Sequence, residues 1–226
     1  MAEEIHKVKI LRKSFINHDV MHIETEKPQG YSYTPGQATH VRIDKEGWRG
    51  EKGAFTFTNL PDEDHLEFTI KSYPSHNGVT ERMASLEEGD TLILEEVYGA
   101  IEYKGKGVFI AGGAGVTPFI AIFKDLVNKK DIEGNTLIFA NQEERDIFKK
   151  ESLEAILGDN FLNILSEEKT EAHAHGRIDL EFLKKNIEDF SQYFYLCGPP
   201  KMMKEVKKHL FGLGVTEKQI VQEDLD

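Results

Sequence analysis

Residues 108–119, VFIAGGAGVTPF, constrain this chain more than any other segment. The apolar run 108–111 suits a short strand buried on both faces of a parallel sheet. Residues 118–128 place Phe119, Ile122, Phe123 and Leu126 on one face, the spacing of an amphipathic helix. Between them lie Gly112, Gly113, Ala114, Gly115, Val116 and Thr117, with Thr117 expected to cap the helix and Pro118 to take its first position. A glycine-rich turn between strand and helix lets the backbone approach a diphosphate, and the helix amides favour its charge. A tight structural turn is the plainer alternative. The spacing is not the GxGxxG of the Rossmann fingerprint, so a different dinucleotide fold is indicated.

The pattern on either side of this turn differs. Before residue 105, short segments rich in β-branched and aromatic residues alternate with turn signals: 7–16, 20–25, 39–43, 55–58, 66–71 and 91–97, with a short helix at 80–86. After it, strands at 108–111, 136–140, 161–165 and 193–197 alternate with helices at 118–128, 146–157, 180–187 and 200–211. That alternation implies βαβ units on a parallel sheet. The expected architecture is an N-terminal six-stranded antiparallel β-barrel, residues 1–104, followed by a C-terminal α/β parallel-sheet nucleotide-binding domain, residues 105–226.

The 226 residues are enough for two small cores, and 39% hydrophobic with 30% charged residues is ordinary for a globular protein. No apolar run approaches the roughly 18 residues of a membrane span, and the first residues lack the apolar stretch of a signal peptide. The single cysteine, Cys197, excludes an internal disulfide and a self-contained iron–sulfur site. A cytoplasmic monomer is the expectation. The net charge of −12 argues against nucleic acid and anionic membranes as partners. No metal site is expected: His173 and His175 form the only close histidine pair, lack zinc-motif spacing and read as surface residues of a loop. The charge run 167–171 reads as a solvated loop.

A second motif, Tyr195-Leu196-Cys197-Gly198-Pro199-Pro200-Lys201-Met202, again joins a strand to a helix. Taken alone, Cys197 reads as a small buried hydrophobe. The order barrel, AGGAGVTP, CGPPKMM resembles the ferredoxin–NADP reductase superfamily, and within it the flavodoxin reductase group, over nearly the whole chain.

The resemblance implies bound FAD, with FMN the lesser alternative. Phe55 would pack on the isoalloxazine ring, and Thr56 would approach flavin N5. The arginine that precedes them in the family, a partner of the flavin diphosphate, is replaced by Gly53, and Lys52, Lys71 or Arg82 are possible substitutes. Ile70, Lys71 and Ser72 would line the flavin or its ribityl chain. Gly78, Val79 and Thr80 would bind its diphosphate. Without the family, 55–58 is an ordinary strand and 78–80 a capped turn. On the nucleotide side, Gly113, Gly115, Val116, Thr117 and Pro118 would meet the NAD(P)H diphosphate, and Cys197, Gly198, Pro199 and Met202 would position the nicotinamide. Ser166 and Arg177 would lie at the adenosine end. There the family's Ser-Arg pair is Ser166-Glu167, and its Arg-x-Tyr is Arg177-Ile178-Asp179. Glu167 and Asp179 would repel a 2′-phosphate, which favours NADH over NADPH. Glu223 matches a family glutamate near the nicotinamide, where a carboxylate could relay a proton; a solvated charge is the alternative. Leu225 replaces a covering aromatic residue, implying an open flavin face.

The activity so implied is hydride transfer from NAD(P)H to FAD N5 and release of single electrons to a separate flavodoxin, ferredoxin or oxygenase component, with Thr56, Cys197 and Glu223 nearest the chemistry. Two other readings stand beside it. One is a reductase of free flavin or another small acceptor; the other is a non-catalytic nucleotide-binding module that lost its flavin.

Overall fold

The computed structural model describes residues 5–73, 78–99 and 101–223. In the first half, β1 (His6–Phe15), β2 (Val20–Glu26), β3 (Ala38–Ile43), β4 (Lys52–Thr56), β5 (His65–Lys71) and β6 (Thr91–Tyr98) form a six-stranded antiparallel sheet in the order β4-β3-β6-β1-β2-β5. Alternation drives it: in β3, Val41 and Ile43 are buried while His40 and Arg42 face outward. The two edge strands meet because Phe57, just past β4, bridges Phe68 of β5, and the Thr58 amide donates to the Glu67 carbonyl at 2.8 Å. Closure buries Met21, Ile23, Phe57, Leu66, Phe68 and Leu94 inside a barrel. The strand expected at 55–58 therefore starts earlier and changes partner: it pairs with β3 up to Thr56 and with β5 beyond it. Helix α1 (Val79–Ala84) packs against β3 and β4 and buries Val79 and Met83.

In the second half, β7 (Gly107–Gly112), β8 (Thr136–Asn141), β9 (Phe161–Leu165), β10 (Ala174–His175), β11 (Tyr193–Cys197) and β12 (Ile220–Val221) form a parallel sheet in the order β10-β9-β8-β7-β11-β12. Every residue of β7 is buried, as its continuous apolar run requires. Helices α2 (Thr117–Lys129) and α3 (Lys150–Leu157) cover one face through Phe119, Phe123, Leu126, Leu153 and Leu157. Helices α4 (Leu180–Asn186) and α5 (Pro200–Gly212) cover the other through Leu183, Met203, Val206 and Leu210. The chain runs from β7 out to β10, then returns to β11 on the opposite side of β7. The carboxyl ends of β7 and β11 thus flank the point where strand order reverses, the usual ligand crevice of such sheets. Among the described residues, no helix is long and apolar enough to cross a membrane.

The helix expected at 146–157 begins only at Lys150. Asp146 instead closes a 3₁₀ turn, accepting from the Glu143 amide at 3.0 Å, and Lys149 adopts a left-handed φ of 55°. The two-residue strands β10 and β12 are additions at the sheet edges, too short for a periodicity to reveal.

The halves are joined by apolar and ionic contacts. Val20 and Ile101 extend the α2-side core towards the barrel. The Tyr195 hydroxyl accepts from the Lys104 and Gly105 amides at 2.9 and 3.1 Å, fastening the linker to β11. Glu67, a barrel residue only 8% exposed, receives the Thr58 hydroxyl at 2.7 Å and faces Lys124 of α2 at 3.5 Å and Lys149 at 3.8 Å. The Lys124 ammonium also donates to the Thr58 carbonyl at 2.7 Å. Burial alone would raise the Glu67 pKa, but Lys124, the Thr58 hydroxyl and Lys149 outweigh it and hold the carboxyl below its ordinary value.

Glu67→Gln leaves both lysines facing a neutral amide and is expected to cost about 1–3 kcal/mol at pH 7, less than a fully buried pair because the lysines are partly solvated. A depressed folded-state pKa stabilises fully above the unfolded value of about 4.3, and that stabilisation disappears as pH falls through the folded value. Thermal unfolding of both proteins should therefore give a gap in Tm at pH 7 that closes below about pH 4. A gap indifferent to acid contradicts the ionic account.

Candidate nucleotide and flavin site

Strands β7 and β11 end level, with Ala111 opposite Cys197. The turn after each opens a helix, and the two turns touch backbone to backbone. A Cβ on Gly115 would sit 2.2 Å from the Cys197 carbonyl oxygen, and one on Gly198 would sit 2.9 Å from the Gly112 amide nitrogen. A Cβ on Gly112 would sit 2.7 Å from Met202 Sδ and 2.8 Å from Pro199 Cδ. These three glycines permit close packing. Gly113 differs: its φ is +52°, and nothing lies within 4 Å of where its Cβ would be, so its backbone is open to a ligand. Thr117 is not the helix cap. The 3₁₀ turn Gly113–Val116 runs directly into α2, Val116 takes the cap position, and the Thr117 hydroxyl donates back to the Ala114 carbonyl at 3.0 Å. Val116 and Pro118 are buried beneath α2 and offer backbone rather than side chain.

A cavity of about 390 Å³ opens at the strand ends. Its walls bring together Gly113, Ser166, Arg177, Pro199 and Met202 with Lys71 from the barrel, six of the residues singled out from sequence. They also include Tyr73, Asn141 and Gln142, which sequence reasoning missed. Asn141 is 8% exposed, and its Nδ2 is buried without a hydrogen-bond partner. An orphaned donor beside open glycine backbone is what an oxygen-rich ligand such as a dinucleotide satisfies, so these residues fit one. The signal for Asn141 was its place just past the end of an expected strand.

Two acidic residues expected at the adenosine end lie elsewhere. Asp179 caps α4, accepting from the Phe182 amide at 2.8 Å. Glu167 is exposed beside Glu143, Glu144, Arg145 and Glu168, in a separate hollow.

Lys71 reaches the cavity from the end of β5. Its ammonium lies 2.9 Å from Asp19 and 3.5 Å from Asp146. Burial would lower its pKa, but the two carboxylates more than compensate and hold it above the ordinary value. His18, Asp19 and Asp146 form a group with metal-ligand spacing, ligand atoms within 4.8 Å, and the Lys71 ammonium already supplies its positive charge. The expected surface pair of histidines divides. His175 is exposed on β10, whereas the His173 side chain is 7% exposed and pairs with Glu144 at 3.2 Å.

On the barrel, Phe55 and Thr56 end β4, and Gly78, Val79 and Thr80 start α1. The Phe55 ring lies over Gly53, where a Cβ would come within 2.6 Å of it. Ile70 is buried in the barrel core, so only its backbone faces outward, and the Ser72 amide is tied to the Asp19 carbonyl at 2.7 Å. Glu223 packs over Gly99 of the barrel, its Oε1 2.8 Å from where a glycine Cβ would be. It is near enough to Cys197 and Tyr98 to raise the pKa of both. Burial first, and Glu223 second, push the Cys197 thiol up to about 12. Leu225 lies outside the described residues.

Comparison with known proteins agrees with both halves. Residues 5–98 match the model of an FAD-binding domain, and residues 109–208 that of an oxidoreductase NAD-binding domain. The chain is 28% identical to NADH-cytochrome b5 reductase 2 of Mycosarcoma maydis over 84% of its own length and 60% of that protein's. It is 27% identical to the anthranilate 1,2-dioxygenase electron transfer component of Acinetobacter baylyi, over 90% and 62%. The chain thus spans about three fifths of the length of these relatives. Its fold superimposes on a ferredoxin NADP+ reductase from Neisseria gonorrhoeae with a TM-score of 0.84 and 19% identity, covering 97% of this chain and 98% of that one.

A thiol with a pKa near 12 is almost wholly protonated in neutral solution. At pH 8 about a quarter of an ordinary thiol is thiolate, against roughly one part in ten thousand for Cys197. Alkylation by iodoacetamide at pH 8 should therefore be at least about 100-fold slower in the folded protein than in the unfolded chain. Comparable rates would contradict this placement of Cys197.

Proposed function

Because the chain belongs to the ferredoxin–NADP reductase superfamily, with an FAD-binding domain followed by an NAD-binding domain, we propose that it is a flavin-dependent oxidoreductase, oxidising NAD(P)H and reducing a separate acceptor. The observation that carries this reading is a cavity walled by both halves: Gly113, Asn141 and Met202 from the α/β half, Lys71 and Tyr73 from the barrel. Bound flavin would supply a hydride acceptor for the nicotinamide and a one-electron donor for the acceptor. The chain's own work is to hold the two cofactors together and keep water out.

Gly113 and the start of α2 receive the dinucleotide diphosphate, Asn141 donates to it, and Ser166 and Arg177 hold the adenosine end. The Cys197–Pro199 turn orients the nicotinamide. Cys197 acts by packing, since its thiol stays neutral. Phe55 and Thr56 face the flavin ring. Ile70 to Ser72 and Gly78 to Thr80 contact the flavin through backbone and hydroxyl groups. Glu223, poised between Gly99 and Cys197, holds or moves a proton beside the ring. The division between the halves falls at residues 104/105.

The preferred nucleotide is NADH. The relative named NADH-cytochrome b5 reductase 2 supports this choice. The acceptor is a separate protein: a flavodoxin, a ferredoxin or an oxygenase component. The single cysteine suits a reducing, cytoplasmic setting.

Purified protein reconstituted with FAD should display the visible bands of oxidised flavin, bleached anaerobically by NADH. Steady-state kinetics should favour NADH over NADPH by about tenfold or more in kcat/KM, about 1.4 kcal/mol in the transition state. Absence of flavin bands after reconstitution overturns the enzyme assignment, and a preference for NADPH overturns the nucleotide assignment alone.

A further inference from the structure

Hydride transfer moves one hydrogen with its electron pair from nicotinamide C4 to flavin N5, and it requires the two rings at near-attack distance. In this chain the rings belong to different halves, so contacts across the seam must set that distance. Asn17 donates to the Arg145 carbonyl at 3.2 Å, Lys71 reaches Asp146 at 3.5 Å, and Lys149 reaches Glu67 at 3.8 Å. Lys124 differs from these three. Its ammonium donates at 2.7 Å to the Thr58 carbonyl, in the backbone that continues from Phe55 and Thr56.

Both ends of this contact are stiff. Lys124 lies on α2 two turns, about 10.5 Å, beyond Thr117, where the helix leaves the glycine turn. Phe119, Phe123 and Leu126 fix α2 in the core over the sheet, so the helix and the turn keep one geometry. Thr58 is wholly buried. Its amide donates to the Glu67 carbonyl at 2.8 Å, and its hydroxyl to Glu67 Oε1 at 2.7 Å. The preceding Phe57 ring stacks on Tyr33 at 4.0 Å, and Thr56 is paired with Ala38 of β3. A shift of Thr58 therefore carries Thr56 with it.

A buried carbonyl requires a donor, and the donor of Thr58 comes from the other half of the molecule. The Lys124 side chain is itself 33% exposed, so it fills no core position. It grips the flavin strand from a helix that starts at the nucleotide turn.

We propose that Lys124 is a positioning residue for hydride transfer: by holding the Thr58 carbonyl, it fixes the strand that bears Thr56 against the helix that receives the dinucleotide. The proposal rests on the flavin reductase reading above and names the contact that sets the distance between its two cofactors.

The test compares the wild type with Lys124→Met, Lys124→Arg and Glu67→Gln. Three quantities are measured: FAD affinity of the apoprotein by fluorescence titration, the long-wavelength charge-transfer absorbance when NAD+ meets the reduced flavin, and the rate constant of flavin reduction by saturating NADH. The absorbance reports ring contact independently of turnover. Lys124→Met should keep FAD affinity and the NADH Kd within about twofold, lose most of the absorbance, and slow flavin reduction by about 10-fold or more, since a displacement of about 1 Å costs roughly 100-fold. Lys124→Arg, which keeps the donor, should restore most of both losses. Glu67→Gln leaves the Lys124–Thr58 bond in place and should lower Tm while holding absorbance and rate within about twofold. Lys124→Gln, too short to reach the carbonyl, makes the same comparison should Lys124→Met fail to fold.

The proposal is overturned if Lys124→Met keeps the wild-type absorbance and rate. It is overturned equally if Glu67→Gln loses as much as Lys124→Met, which would mean a general loosening of the seam, or if Lys124→Met binds FAD weakly yet is reduced normally once saturated, which would mean support of the flavin site alone. A wild-type protein that binds no flavin, or whose flavin NADH does not reduce, fails the reductase reading itself and is recognised before any variant is made.

Discussion

The nucleotide half depends on one close approach: the Gly115 α-carbon lies so near the Cys197 carbonyl that no other amino acid fits between the two turns. Two strands remote in sequence, β7 and β11, are thereby brought to the same level, and the backbone around Gly113 is left open above them. The open position lies within two residues of two of the crowded ones, Gly112 and Gly115. The packing glycines hold the turns together so that the remaining one can face a ligand.

Charge is arranged by the same logic on the other side of the cavity. The protein has an excess of carboxylates, yet several of its lysines are directed inward: Lys71 to Asp19 and Asp146, Lys124 and Lys149 to Glu67, Lys52 to Glu95. These cations hold elements in place, and their charges are largely cancelled where they sit.

Much of this was legible in sequence because it is written in backbone chemistry. Glycine and proline punctuation located both turns, the apolar runs located the buried strands, and the change of rhythm near residue 105 separated the two sheets. What escaped depends on partners far along the chain. Nothing near Asn141 indicates that its amide is left unpaired, and nothing near Glu67 indicates that Lys124 and Lys149 close over it. The helix expected from Asp146 failed for a local reason of another kind. Its carboxylate closes a tight turn with Glu143, and Lys149 must unwind into the left-handed region before a helix can start. Thr117 misled because a hydroxyl at a helix start can face either way, and here the preceding turn offers a carbonyl first.

The junction at Glu67 has a consequence for how such proteins change over time. A barrel separated from its partner domain would keep a sheltered carboxylate with its lysines gone, and the partner would keep two lysines with nothing to neutralise. The halves are therefore poor candidates for independent exchange, because a replacement for either must bring matching charges as well as a matching surface.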